Sequence, residues 1–120
     1  GPPSYAPLAA RALTNEPSFV EAARAVAQEA PAAPGGEDVE RLSVLWERVL
    51  ERAPETSERE VLLELLAGQR ATFTESPVDA AALIAIGSSP TPTDLAPAEL
   101  AAWTSVARVA LNLHEAIVRE

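Results

Sequence analysis

His114 is the only imidazole in the chain, and Glu115 follows it directly. Together they are the one place where residue type suggests proton transfer or metal ligation. One imidazole does not build a zinc site, which takes three or four protein ligands, and the other available ligands here are carboxylates. His114 also falls on an apolar helical stripe, so the plainer expectation is a partly buried histidine satisfied by a neighbouring carbonyl or carboxylate. With no cysteine, disulfides, thiolate metal sites, cysteine nucleophiles and a Cys-x-x-Cys-His haem attachment are excluded.

The carboxylates are numerous enough to raise the two-acid arrangement of glycosidases. Glu21, Glu40, Glu47, Glu51 and Glu64, however, fall on polar helix faces beside arginines and read as solvated surface. Ser57 and Ser76 sit where helices begin and read as caps. Ser88, Ser89, Thr91 and Thr93 lie in a loop with no histidine to activate them. Gly35-Gly36 lacks the lysine and preceding strand of a phosphate loop. Trp46 and Trp103 could stack on a sugar or a haem edge, but both lie on apolar helix faces and read as core. Asn112, between Leu111 and Leu113, is expected to satisfy its amide on a loop backbone. The expected catalytic, cofactor and metal sets are therefore empty, with His114 and Glu115 the residues to watch.

The net charge is −9, and all nine basic residues are arginines scattered singly along the chain. Nucleic-acid binding needs a concentrated basic footprint, and an anionic membrane surface needs the same. Neither is expected as a partner. No apolar run reaches the roughly 18 residues of a membrane span, and no signal peptide is read. At 120 residues the chain has the length of one domain.

The elements that must position these residues are all helical. Residues 1–7, with three prolines, read as an extended lead-in, Gly1-Pro2 resembling a tag remnant; residues 8–120 read as one helical domain. Leu8–Leu13 suits a helical turn. Asn15 as cap, Glu16 at the positive end of the dipole and Pro17 in the first turn open a helix with Phe19, Ala22, Ala23, Val26, Ala27 and Ala30 inward. Pro31 closes it. A second helix runs from about Asp38 to Arg52, burying Leu42, Leu45, Trp46, Val49 and Leu50, with Glu40, Arg41, Glu47, Arg48 and Glu51 in water. After Pro54, Ser57 and Glu60 match a capping box for a third helix, with Val61, Leu62, Leu65, Leu66 and Phe73 inward and Gly68 as a weak point.

Ser76-Pro77-Val78-Asp79 opens a short fourth helix reaching Ile86, and Gly87 is a left-handed stop. Residues 88–97 read as irregular. Pro97 starts the longest helix, whose stripe of Leu100, Trp103, Ala107, Ala110, Leu111, His114, Ile117 and Val118 is widened by Val106, Val109 and Leu113. No segment alternates with period two. The expected fold is all-α: a compact bundle of four or five helices with a long central C-terminal helix.

Two segments carry a family resemblance. Ala12-Leu13-Thr14-Asn15-Glu16-Pro17-Ser18-Phe19-Val20-Glu21-Ala22-Ala23-Arg24 is similar to an "Asn-Asp-Pro-x-Phe-Val … Ala-Ala-Arg" segment. Leu100-Ala101-Ala102-Trp103 through Ala110-Leu111-Asn112-Leu113-His114-Glu115 is similar to a closing "Ala-Ala-Trp … Leu-Leu-Asn-Leu-Asp-Glu" segment, and Ala82–Gly87 fits the stretch leading to it. The chain in this respect resembles the C-terminal part of the planctomycete-type domain of unknown function 1553. His114 stands where that pattern has Asp. The resemblance implies a module at the end of a large exported, periplasmic or cell-surface protein with cytochrome-c-like domains elsewhere. Its implied partners are other domains of the parent protein or a separate protein, and it carries over no catalytic residue or cofactor. The alternative is a fragment of an enzyme or redox protein whose site is completed by upstream domains.

Overall fold

A computed structural model of the chain describes residues 16–30, 37–92 and 96–118. The expectations for residues 1–15 and for Gly35-Gly36 lie outside the described residues. Within them, five helices follow one another: α1 (Pro17–Glu29), α2 (Asp38–Leu50), α3 (Thr56–Glu75), α4 (Pro77–Ile84) and α5 (Pro97–Val118). The architecture is the expected all-α bundle, and among the described residues there is no strand.

α5 is the axis. It packs on all four other helices, most extensively on α1 and α3. Leu100, Ala101, Ala102, Trp103, Thr104, Val106, Ala107 and Ala110 are all buried along it. Small residues on the facing stripe of α1, Ala23 and Ala27, are fully buried and let the two backbones approach closely. α2 adds Leu42, Leu45 and Trp46, α3 adds Leu62 and Leu66, and α4 adds Ala80, Leu83 and Ile84.

The buried face of α1 is rotated from the expected one. Val20 and Arg24 are buried where Ala22 is exposed and Val26 half-buried, because larger contacts are made one position along the turn. Arg41, expected in water, is half-buried: it donates to Ala27 O at 3.1 Å and its guanidinium lies 4.5 Å from the Trp103 ring centroid. Val61, expected in the core, is 64% exposed, because no described helix covers its side of α3.

The helix ends differ in detail too. The N-cap of α1 is Glu16, not Asn15, and its carboxylate accepts from the N–H groups of Ser18 and Phe19. α2 stops at Leu50, with Glu51 in the left-handed region at φ 60°. α3 starts at Thr56, and the carboxylate three residues past its cap is Glu58, which accepts from Glu55 N–H at 2.8 Å. The Ser57–Glu60 box expected there is thus displaced by two residues, a glutamate doing at the cap what a serine can do. α3 runs through Gly68 as one helix of 20 residues. α4 ends at Ile84 rather than Ile86, and Ser76 caps it without a side-chain hydrogen bond. Gly87 does adopt a positive φ of 106°.

Candidate functional site

His114 and Glu115 occupy the last turns of α5. His114 is exposed, so the expected partly buried, satisfied imidazole is not what the fold provides: α1 flanks Leu111 and Glu115 and α3 flanks Leu113, and neither covers the imidazole. Glu115 is half-buried and borders a shallow depression with Ser18, Phe19, Ala22 and Leu111. Among the described residues no three His, Asp or Glu side chains gather into a group able to hold a metal ion. The Asn112 amide does not reach a loop either; its Oδ1 is buried without a hydrogen-bond partner.

Charged side chains instead organise two structural nodes, neither anticipated. The first joins α2, α3 and α5. Arg70 donates two hydrogen bonds to Asp38, at 2.9 and 3.1 Å, and two to Glu99, whose other contact is the Trp103 indole N–H at 3.2 Å. Such paired forks are strong and directional. The Arg70 guanidinium holds both carboxyls below their usual range, and they in turn raise the arginine.

The second node ties α1 to the segment after α4. Arg24 is only 3% exposed. Its guanidinium donates to Ile84 O, at the C-terminal end of α4 where carbonyls lack helical partners, and to Ser89 O and Pro90 O. One turn back, the Glu21 carboxylate accepts from Ser88 N–H at 3.3 Å and Ser89 N–H at 2.7 Å. The Ser89 contacts chiefly lower its pKa. A side chain at Gly87 would put its Cβ 2.7 Å from the Glu21 carboxyl carbon, so this close approach and the positive φ both require glycine. Arg24 had one sequence signal: it lies four residues after Val20 and three before Ala27, on the buried stripe.

Two larger recesses remain. A cleft of about 440 Å³ between α3, α4 and α5 is lined by Gln69, Phe73, Asp79, Leu83, Ser105 and Arg108 among others. Burial lowers the Arg108 pKa. The Ser105 hydroxyl donates to Gln69 Oε1 at 3.0 Å, and His114 lies nine residues, about 13 Å of helix rise, further along α5.

The other recess is a groove of about 320 Å³ formed by Trp46 of α2, Ser57, Glu58, Val61 and Leu62 of α3, and Val109 and Leu113 of α5. Its walls are mostly apolar and partly open: Val61 is 64% and Val109 37% exposed, and Ile117 continues the α5 stripe at 50%. Glu58 closes one end, chelated by Arg52 at 2.7 and 2.9 Å. That pairing first of all, with help from the Glu55 N–H, lowers its pKa to about 2. Of these three recesses, this one has the most apolar lining and the chemistry of a docking surface.

No family model, curated protein or solved structure matches the chain.

Proposed function

We propose that the chain is a non-catalytic helical module that docks another domain or protein through the α2–α3–α5 groove. The single observation carrying this is an open apolar groove, lined by Trp46, Val61, Leu62, Val109 and Leu113, at the end of the α5 stripe. Exposed apolar surface of this kind, rimmed by polar groups, marks interaction sites. The wider context, a module of a large exported planctomycete-type protein, is proposed from the two resembling sequence segments alone. No described observation favours the alternative, a site completed by missing upstream domains around His114 and Glu115.

The test uses a neutral amphipathic helical peptide, leucines at i, i+3, i+4 and i+7 with glutamine and serine elsewhere, followed by methyl NMR. The expected result is a saturable shift confined to the Val61, Val109 and Leu113 methyls and abolished in the double variant Val61→Ser/Val109→Ser. Because those valines are partly exposed, that variant should keep the parent stability within about 0.5 kcal/mol per site, so lost binding is not lost folding. No binding, or equal shifts at Val78, which is 80% exposed on α4, would overturn the reading.

A further inference from the structure

The two long rims of the groove differ in charge. On α3, Ser57, Val61 and Glu64 stand at i, i+4 and i+7, one line along the helix, and Glu60 lies beside Glu64 on its outer side. Both glutamates are exposed. No cation of α3 offsets them there: Arg59 points roughly 160° around the helix from Val61. Arg52 is engaged with Glu58, and Arg48 is turned to Glu29 at 3.6 Å. On α5 the helical neighbours of Val109 on its outer side are Ser105, Asn112 and Ala116, all uncharged, and the nearest cation of that helix, Arg108, lines the separate α3–α4–α5 cleft. An apolar floor thus has one acidic and one neutral edge.

The floor is shaped for a helix. α3 and α5 run antiparallel, since Arg70 meets Glu99, Gln69 meets Ser105, and Leu62 shares the groove with Val109 and Leu113. Val109, Leu113 and Ile117, at i, i+4 and i+8, extend the apolar line over about 12 Å, roughly two turns. A third helix laid along this pair would place its own i, i+3, i+4, i+7 stripe on that line. Resting on the docking reading above, we infer that the occupant is an amphipathic helix of a different domain or protein, carrying Lys or Arg along one edge of its apolar stripe. Those cations meet Glu60 and Glu64, while the opposite edge, against Ser105, Asn112 and Ala116, is uncharged. A second copy of this chain is a poor occupant, because its charge of −9 would set two acidic surfaces face to face.

Three peptides with the same leucine stripe and lysine, glutamine or glutamate along one edge provide the test, titrated into the intact chain at low salt. The lysine peptide should bind about five-fold tighter than the glutamine peptide, and the glutamate peptide weaker by a similar factor, as two exposed ion pairs allow. In Glu60→Gln/Glu64→Gln the lysine advantage should vanish. In Glu37→Gln/Glu40→Gln, which removes the same charge from the start of α2, it should persist. Equal loss in both variants would mean a diffuse attraction to an acidic protein and would overturn the inference. Equal affinity of all three peptides at the groove would also overturn it while leaving the docking reading intact. Failure of even the glutamine peptide to reach Val61 and Val109 would remove both.

Discussion

The first and last halves of α5 have the same apolar period and opposite surroundings. From Leu100 to Ala107 seven of eight residues are buried, Ser105 being half-buried; the Trp103 indole is gripped by Glu99 and stacked by Arg41. From Val109 onward the stripe emerges in part: Ala110 is still fully buried and Leu111 half-buried, but Val109 and Leu113 line the open groove, and Ile117 and Val118 are 50% and 64% exposed. Helical periodicity establishes that a face is apolar; only the number of neighbouring helices decides whether that face is core or interface. All four other helices pack along α5, but α3, antiparallel to it, begins at Thr56, near the level of Leu113. Beyond that point α3 no longer lies alongside, while α1 still flanks Leu111 and Glu115.

The largest effect separating the halves should come from Trp103→Ala. It opens a cavity where nothing can relax inward and also deprives Glu99 and Arg41 of their contact, at a cost of about 3–5 kcal/mol. Ile117→Ala, an equally apolar position by sequence, should cost under about 0.5 kcal/mol. Urea unfolding of both variants measures the contrast. Comparable losses would mean that the end of α5 is packed in the free domain and that the groove is not open.

Next in size is Arg24→Met, which keeps most of the apolar stem but leaves the carbonyls of Ile84, Ser89 and Pro90 without their donor. The expected loss is about 2–3 kcal/mol, the penalty of buried acceptors left unsatisfied. Arg59→Met should be near neutral by the same measurement. Hydrogen exchange adds a second readout: the Ser88 and Ser89 amides, held by Glu21 one turn back, should lose protection in Arg24→Met while the α5 amides keep theirs.

The helices themselves were legible because proline marks three of their starts, Pro17, Pro77 and Pro97; Gly87, expected as a stop, lies three residues past the end of α4. Trp46 and Trp103 were legible as core from the 3.6-residue period. Arg24 and Arg70 were not, although each lies one turn after a buried residue (Val20 and Leu66). A charged residue at a core position reads as surface until its partner is known, and these partners lie 60 and 29 residues away. Val61 and Val109 failed in the opposite sense, for their pattern is that of core residues and their exposure depends on a wall that the bundle lacks. His114 shares that cause: its neighbours Leu113 and Glu115 are half-buried against α3 and α1, but no described helix covers the imidazole itself.

The smallest effect concerns Glu58, which closes the groove and braces the turn between α2 and α3. Its folded pKa of about 2 lies below the ordinary 4.5, with the Arg52 pairing as the first cause. The unfolded chain therefore takes up this proton more readily as acid is added. The contribution of Glu58 to stability is complete above about pH 4.5 and fades as the pH falls toward 2. Its side chain is 24% and that of Arg52 40% exposed, so solvent screening limits the pair to about 1 kcal/mol. Asp38 and Glu99, also lowered by an arginine, slope the same way, and only a difference isolates Glu58. Glu58→Gln should be about 1 kcal/mol less stable than the parent at pH 6, and the two curves should converge by pH 2. Parallel curves would mean that the Arg52 chelate does not hold the α2–α3 turn. The end of the groove would then be as free to move as its open valine walls, and a docking helix would have to order it on binding.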